Sequence, residues 1–427
     1  MDACDVVVVG AGAAGLAAAR TLKAAGRTVV VLEASERIGG RAWTTNPPAL
    51  GGAWFDMGAV WLHAAEKNPL VPIAEAAGDK LLRSDAMREQ RTFIGNRLAT
   101  PEELADYEAA WDRFAAKADE LLRPGMPDVP LAEVARRLPD DPWAVTVETW
   151  EGPIVDAADA DAVSLRDWKA NALTGSNLVP EGGIGAFVAR RLGEGVEIRL
   201  GTPAKRVRWH GPGDAPVAVE TAAGTLRARQ CIVTVSTGVL AAGTIGFEPR
   251  LPAAIADCIE ALPMGLALKV VLRARSEDRL GLPAHCLVER RVERSGEPTM
   301  IFQCWPYGRD YVQGWIGGGA AWELARRGDG PAAEFAQAAL RTMLGARVDR
   351  VLEPALVTHW EADPWVRGAY CYARPGQAGA RAALARPLAD GRLVFAGEAC
   401  SQGFAGTLGG AWESGIGAAR LLLGEAV

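Results

Sequence analysis

The chain has 427 residues, is 49 % hydrophobic and carries a formal net charge of −6. That length exceeds one comfortable core and implies two domains in an otherwise ordinary soluble enzyme. The acidic balance, with no basic cluster interleaved with aromatics, argues against a nucleic-acid partner and is compatible with cationic substrates. Cys4, Cys231, Cys258, Cys286, Cys304, Cys371 and Cys400 are scattered without a CxxC pair, and the 4 histidines lack ligand spacing. These thiols read as reduced and the protein as cytoplasmic, with no metal expected. No run of about 18 apolar residues suggests a membrane span, and the apolar N-terminus lacks the basic region of an export signal.

The first element is the most informative. Asp5-Val6-Val7-Val8-Val9 reads as a buried parallel strand, followed by Gly10-Ala11-Gly12-Ala13-Ala14-Gly15 and a helix. Gly10 and Gly12 permit a tight turn against a pyrophosphate, and Gly15 permits close helix packing. A second strand, Val29 to Leu32, ends in Glu33, placed to accept from a ribose hydroxyl pair. Strand, helix, strand and acid at this spacing make a dinucleotide site. Ala34 to Arg41 then adds Gly39, Gly40, Arg37 and Arg41 where the chain passes back over the ligand, a second phosphate clamp that a nicotinamide dehydrogenase does not need. The segment looks like the signature of flavoproteins that hold FAD by its ADP half.

Further along, Leu104, Tyr107, Trp111, Phe114, Ala118 and Leu121 recur at helical spacing after Thr100-Pro101, which predicts a capped amphipathic helix whose aromatic stripe is core. Asp156 to Asp161 is an acidic run that reads as a solvated loop capping the next helix, with attraction of a polyamine as the alternative. Gly182-Gly183-Ile184-Gly185 lacks a preceding valine-rich strand and is not expected to bind a nucleotide. Strand patterns return at 196–200, 206–209, 217–220 and 231–235, and finally at Arg392 to Glu398 before a closing helix through Leu423. The chain therefore re-enters its first domain twice. The expected division is 1–79, 196–246 and 388–427 for the nucleotide-binding domain, and 80–195 and 247–387 for a substrate-binding domain. Ligands favour the seam between two such bodies.

In order and spacing, these residues resemble the flavin-containing amine oxidases, the superfamily of monoamine and polyamine oxidases. The resemblance spans nearly the whole chain: the glycine turn, Arg37 to Arg41, Asp56 to His63, the Val207 strand, Gly265 to Leu272, Gly397-Glu398 and Gly406 to Ala411. Asp56 to His63 followed by Asn68-Pro69-Leu70 looks most like the polyamine-oxidase branch. The implied fold is α/β and α+β, a discontinuous Rossmann-like FAD-binding domain with an inserted sheet-plus-helices substrate domain.

The resemblance also implies roles. Gly10, Gly12, Ala14, Gly15, Glu33, Ala34, Gly40 and Arg41 hold the ADP half, and Gly58, Ala59, Val60 and Trp61 line the flavin. The backbone of Val207 touches adenine, Gly397 and Glu398 support the ribityl-diphosphate, and Thr407 and Leu408 present N–H groups to the pyrimidine edge. Trp360, Trp365 and Tyr370 belong to the segment that brings aromatics over the flavin face. Lys269 sits among apolar residues in Leu266 to Leu272, where a charge is costly; it resembles the lysine that holds a water beside flavin N5, against the alternative of an edge lysine snorkelling to solvent. His63 resembles a histidine near the substrate tunnel, with a structural role as the alternative. Two departures stand out: Ala369 replaces the cysteine that attaches flavin in monoamine oxidases, implying non-covalent FAD, and Thr407 replaces a second cage tyrosine.

The function expected is oxidation of an amine C–H to an imine, with hydride transfer to flavin N5, reoxidation by O2 to hydrogen peroxide, and a polyamine-like substrate favoured. The alternatives are an L-amino-acid oxidase of the same fold, with Arg83, Arg88 or Arg367 as carboxylate clamp, a flavin dehydrogenase of a lipophilic substrate, or a flavin-bearing scaffold. The amine's identity, the carbon oxidised and the oligomeric state are not legible.

Overall fold

The computed structural model describes residues 3–211, 213 and 215–425. Residues 1, 2, 426 and 427, at the outer ends of the first expected domain, lie outside the described residues.

Two sheets organise the molecule. In the first, Ala3–Val9 runs parallel to Val29–Leu32 on one side and to Gly224–Val233 on the other. Ile198–Arg199 extends it beyond Val29–Leu32, and Leu393–Phe395 pairs in parallel with the C-terminal half of Gly224–Val233. Val6 to Val9 are all buried because both faces of this strand are covered, so an unbroken valine run fits where an alternating one would not. The N-terminal half of Gly224–Val233 pairs antiparallel with Val217–Thr221, then Arg206–Arg208 and Gly246–Glu248 complete the edge. The strand ending at Glu248 thus carries the chain slightly past the exit expected at 246.

The Ala13–Ala24 helix covers one face and packs along Leu408–Leu423. Small residues allow that approach, since a Cβ at Gly415 would overlap the Ala14 carbonyl. Ile184, Phe187, Val188 and Leu192 pack into this same core beside Val6, Val8 and Leu16. The Ile184–Arg191 helix, grouped by sequence with 80–195, is therefore nucleotide-side in its packing; its apolar face follows the sheet it touches, which chain position does not reveal.

The second sheet has the order Leu352–Val357, Ala267–Ala274, Tyr311–Gly317, Ile301–Cys304, Cys286–Arg290, Glu89–Ile94 and Arg97–Leu98. Its neighbours are antiparallel except Cys286–Arg290 with Glu89–Ile94. A helical layer flanks it. Pro101–Leu121 begins with Thr100 and Glu103 in a reciprocal capping box and buries Tyr107, Ala110, Phe114 and Ala118.

From Trp150 to Asp156 the backbone winds as a π-helix and crosses over the second sheet. The acidic run that follows is not a solvated loop throughout. Asp156 lines an internal cavity, and Asp159 accepts from Gly319 N at 2.9 Å, capping the Gly318–Arg327 helix rather than the next one in sequence. Among the described residues no helix is long and apolar enough to cross a membrane.

Candidate active site

A cavity of about 590 Å³ runs from the N-terminus of the Ala13–Ala24 helix to the cavity-facing side of the second sheet. At its first end, Gly10, Gly12, Ala13 and Ala14 line the wall, and a Cβ at Gly12 would meet only open space. The first-turn N–H groups of that helix have no partner within the helix and suit an anion. Glu33 Oε2 accepts from Ala11 N at 2.7 Å and Oε1 from Ser35 N at 2.9 Å, so the carboxylate is held at the strand end with both oxygens oriented. Ala34, Gly40 and Arg41 continue the wall. Arg37 Nη1 donates to Gly40 O at 2.7 Å while its guanidinium lies 4.5 Å from the Trp43 ring, which fixes the loop that returns over the cavity.

Gly15 and Val207 differ from the rest. A Cβ on Gly15 would overlap the Gly10 carbonyl oxygen, so this glycine serves the turn's packing and does not line the cavity. Val207 is fully buried in Arg206–Arg208, and the wall there is formed by Pro203, Ala204 and Val235. Its side chain faces the core of its own sheet, whereas the contact expected with adenine is one of backbone; the loop preceding that strand lines the ligand side.

Midway, Glu398 is buried and accepts from Arg41 Nη1 at 2.9 Å and from Cys371 N at 3.1 Å. Burial pushes its carboxyl up, but Arg41 and Arg381 outweigh this and hold it below the usual carboxylate range. Arg381, 3 % exposed, is bidentate on Asp167, with both bonds at 2.8 Å. Asp167 and Arg381 carry no sequence signal: one lies in the first turn of Leu165–Ala170 and the other in a short alanine-rich helix, and only tertiary packing joins them.

At the other end Lys269 is 6 % exposed in the middle of Ala267–Ala274, opposite Trp315. Its Nζ donates to Asp56 O at 2.6 Å and Gly58 O at 2.5 Å. Burial pushes the amine down to about 7, with Asp56 opposing the shift, and two carbonyl acceptors favour the ammonium form. An ammonium has three donors, so one remains for the cavity. The intervening Met57 carbonyl is taken by Trp360 Nε1 at 2.9 Å, so Asp56, Met57 and Gly58 all have their carbonyls engaged. Glycine is needed at 58 because a Cβ would overlap Arg41 O and crowd the Trp360 ring.

Asp56 itself is 4 % exposed and accepts from Thr44 Oγ1 at 2.5 Å and Ile184 N at 3.2 Å, capping the Ile184–Arg191 helix from another part of the chain. Desolvation pushes its carboxyl up against those bonds and the Lys269 charge.

Ala59, Val60, Trp61, His63, Trp360, Trp365, Tyr370, Gly397, Thr407 and Leu408 also line the cavity. His63 Nδ1 lies 2.7 Å from Asn177 Oδ1, and burial lowers its pKa, which keeps the ring neutral at pH 7. Trp61 packs against Trp315 with ring centroids 5.6 Å apart. Tyr370 OH donates to Val155 O at 2.7 Å, tying its ring to the π-wound segment; burial, then Asp156 and Glu398, push its hydroxyl up. From that segment Glu151 and Asp156 face the cavity. Glu151 accepts from Trp168 Nε1 at 2.7 Å. Burial raises both carboxyls, and Glu151 raises Asp156 further. Glu151 is missed by sequence because helical spacing puts residues five apart on different sides, whereas π-winding returns them to one. Of Arg83, Arg88 and Arg367, Arg88 alone reaches the cavity, 3.9 Å from Asp85.

The site's residues fit a flavin dinucleotide, with an anion-binding turn at one end, a buried amine at the other and one continuous cavity between. Comparison with known proteins points the same way. The family model for flavin containing amine oxidoreductase matches residues 13–423. Polyamine oxidase 4 of Oryza sativa subsp. japonica is 30 % identical, covering 97 % of this chain and 88 % of that protein. Lysine-specific histone demethylase 2 of Homo sapiens is 26 % identical over 96 % of this chain and 52 % of its own length. A solved putrescine oxidase variant from a redesign of cofactor binding shares the fold, with a TM-score of 0.77, 20 % identity and 99 % of both chains covered. The similarity extends over residues 13–423, far beyond a shared nucleotide motif, and the protein belongs to the flavin-containing amine oxidoreductases.

Proposed function

We propose that this amine oxidoreductase oxidises the C–H bond beside the nitrogen of a polyamine-like amine to an imine, with oxygen as final acceptor and hydrogen peroxide as product. The observation that carries the reading is the pair Glu151 and Asp156, two acidic side chains facing the same aromatic cavity that Lys269 lines. Neither has a lysine or arginine ion pair among the described residues, so a cationic group of the substrate is their natural complement. The family's flavin and the dinucleotide turn together make the cofactor FAD, which when bound supplies the two-electron acceptor.

The chain's own residues do the rest. Gly10, Gly12, Ala14, Glu33, Ala34, Gly40 and Arg41 would hold the ADP half, with Glu398 orienting Arg41. Gly58, Ala59, Val60, Gly397, Thr407 and Leu408 would flank the ring system. Trp61, Trp315, Trp360 and Tyr370 exclude water, and a desolvated pocket disfavours charge on the reacting nitrogen. The neutral amine keeps the lone pair that expels hydride from the adjacent carbon, so no dedicated base is required. The two carboxylates then keep a more distant ammonium charged. Lys269 offers its third N–H at the cavity, positioned for a water or a developing negative charge. Neutral His63 serves as a hydrogen-bonding wall residue rather than a proton donor at pH 7.

Anaerobic mixing with putrescine, spermidine, spermine, aromatic amines and amino acids, followed by a peroxide assay in air, tests the reading. Bleaching of the flavin by polyamines, with kcat/KM rising with pH through the amine's pKa, is the expected result. Bleaching by amino acids alone would transfer the assignment to an amino-acid oxidase using Arg88, and a pH-independent rate would refute the neutral-amine account.

A further inference from the structure

Beyond Glu151 the substrate cavity stops against Trp150, Arg88 and Leu287. The same three residues wall a second cavity of about 440 Å³, lined on its far side by Tyr107, Trp111 and Glu108. The partition is thus one side chain thick. Lys269 lies opposite Trp315, Trp315 opposite Ile301, and Leu287 opposite Gln303, so Leu287 is on the third strand from Lys269. With about 4.8 Å per strand across the sheet and about 3.3 Å per residue for the two residues from Ile301 to Gln303 along it, the partition stands roughly 16 Å from the lysine.

Trp150 is not free to swing. Its Nε1 donates to Glu289 Oε2 at 2.5 Å, and Glu289, 1 % exposed, also accepts from Gln90 Nε2 at 2.6 Å, Thr92 Oγ1 at 2.8 Å and Tyr107 OH at 3.3 Å. The Trp111 ring braces the indole edge-on, with centroids 6.5 Å apart. Moving the indole would strip a hydrogen bond from a buried carboxyl group. Glu289 faces the same side of the sheet as Leu287, yet lines neither cavity. The reaction assigned above has no use for it.

Resting on the amine-oxidase reading, we propose that Trp150, held by Glu289, sets the upper length limit of the substrate, and that the second cavity, open to solvent beside Leu104 and Glu108, is an extension of the first that the indole shuts off. Trp150 acts by blocking the path of a substrate tail; Glu289 is a positioning residue that acts through it. Tails longer than about 16 Å, on the order of ten bonds of extended chain, meet the indole.

A homologous series of α,ω-diamines and N-alkyl amines, followed by anaerobic flavin reduction in the holoenzyme, tests this. The readout is the ratio of kcat/KM for long members to that for short ones. In Trp150→Ala the ratio rises about tenfold or more in both series. Trp150→Phe, which keeps a ring but loses the N–H, and Glu289→Leu each raise it part of the way, whereas Glu289→Gln, which keeps an acceptor for the indole, matches the wild type. An unchanged ratio in Trp150→Ala and Trp150→Phe, or in Glu289→Leu a loss equal at every length, overturns the proposal. If no short amine reduces the flavin, the underlying function fails; if short amines reduce it and the limit stays fixed, only the role of Trp150 fails.

Discussion

Lys269 shows how far a single residue can be read from sequence. A lysine among Leu268, Val270 and Val271 is conspicuous because a buried strand tolerates a charge only with partners. Its partners were invisible, since they are backbone carbonyls of Asp56 and Gly58, more than 200 positions away. Replacing Lys269 by Met should lower oxygen-dependent turnover by roughly a hundredfold, the scale of losing one preorganised donor, with flavin content unchanged; an oxygen electrode and the visible spectrum check both. The same residue makes stability pH-dependent. Its amine titrates near 7 when folded and near 10.4 when unfolded, so between those values the unfolded chain binds more protons and stability rises with pH. Thermal melts of Lys269→Met against wild type should therefore show the variant's relative stability falling from pH 7 to pH 10.

At the scale of elements, local signals were reliable where the physics is local. Thr100, Pro101 and Glu103 announce a helix start, and the capping box is present in both directions. Thr100→Ala should cost about 1 kcal/mol of stability, measured by chemical denaturation. The Ile184–Arg191 helix is the opposite case. Its cap is Asp56, supplied from a distant strand, so neither its N-terminus nor its allegiance to the first core can be read from neighbouring residues. Asp56→Ala should be more damaging than Thr100→Ala, because it strips the helix cap and removes the acceptor for the Thr44 hydroxyl, both beside the turn that holds Lys269. The π-wound turn from Trp150 to Asp156 was likewise illegible. Its winding, not its composition, brings Glu151 and Asp156 to one wall and Trp150 to the partition.

For the molecule as a whole, the cavity passes between the two sheets and is walled by residues from the first turn to the last helix. A ligand spanning it bridges segments that otherwise meet only through packing. Removing FAD should lower the melting temperature, and restoring it at about a hundred times its dissociation constant should return on the order of 2.7 kcal/mol; differential scanning calorimetry of apo and reconstituted protein checks this. Glycines 10, 12 and 15 and the order of segments were legible because a tight strand-to-helix turn restricts residue type within a few positions, as where a Cβ on Gly15 would overlap the Gly10 carbonyl. Chain order also conveyed that the first sheet is built from separated pieces, since its strands carry valine-rich or alternating patterns wherever they occur. What required the tertiary structure was every contact between those pieces: Arg381 on Asp167, Glu289 under Trp150, Glu151 beside Asp156, and the loop at Pro203 standing where Val207 was expected. Such pairings depend on distances set by the packing of whole elements, and a side chain's identity carries no record of which distant partner that packing will bring to it.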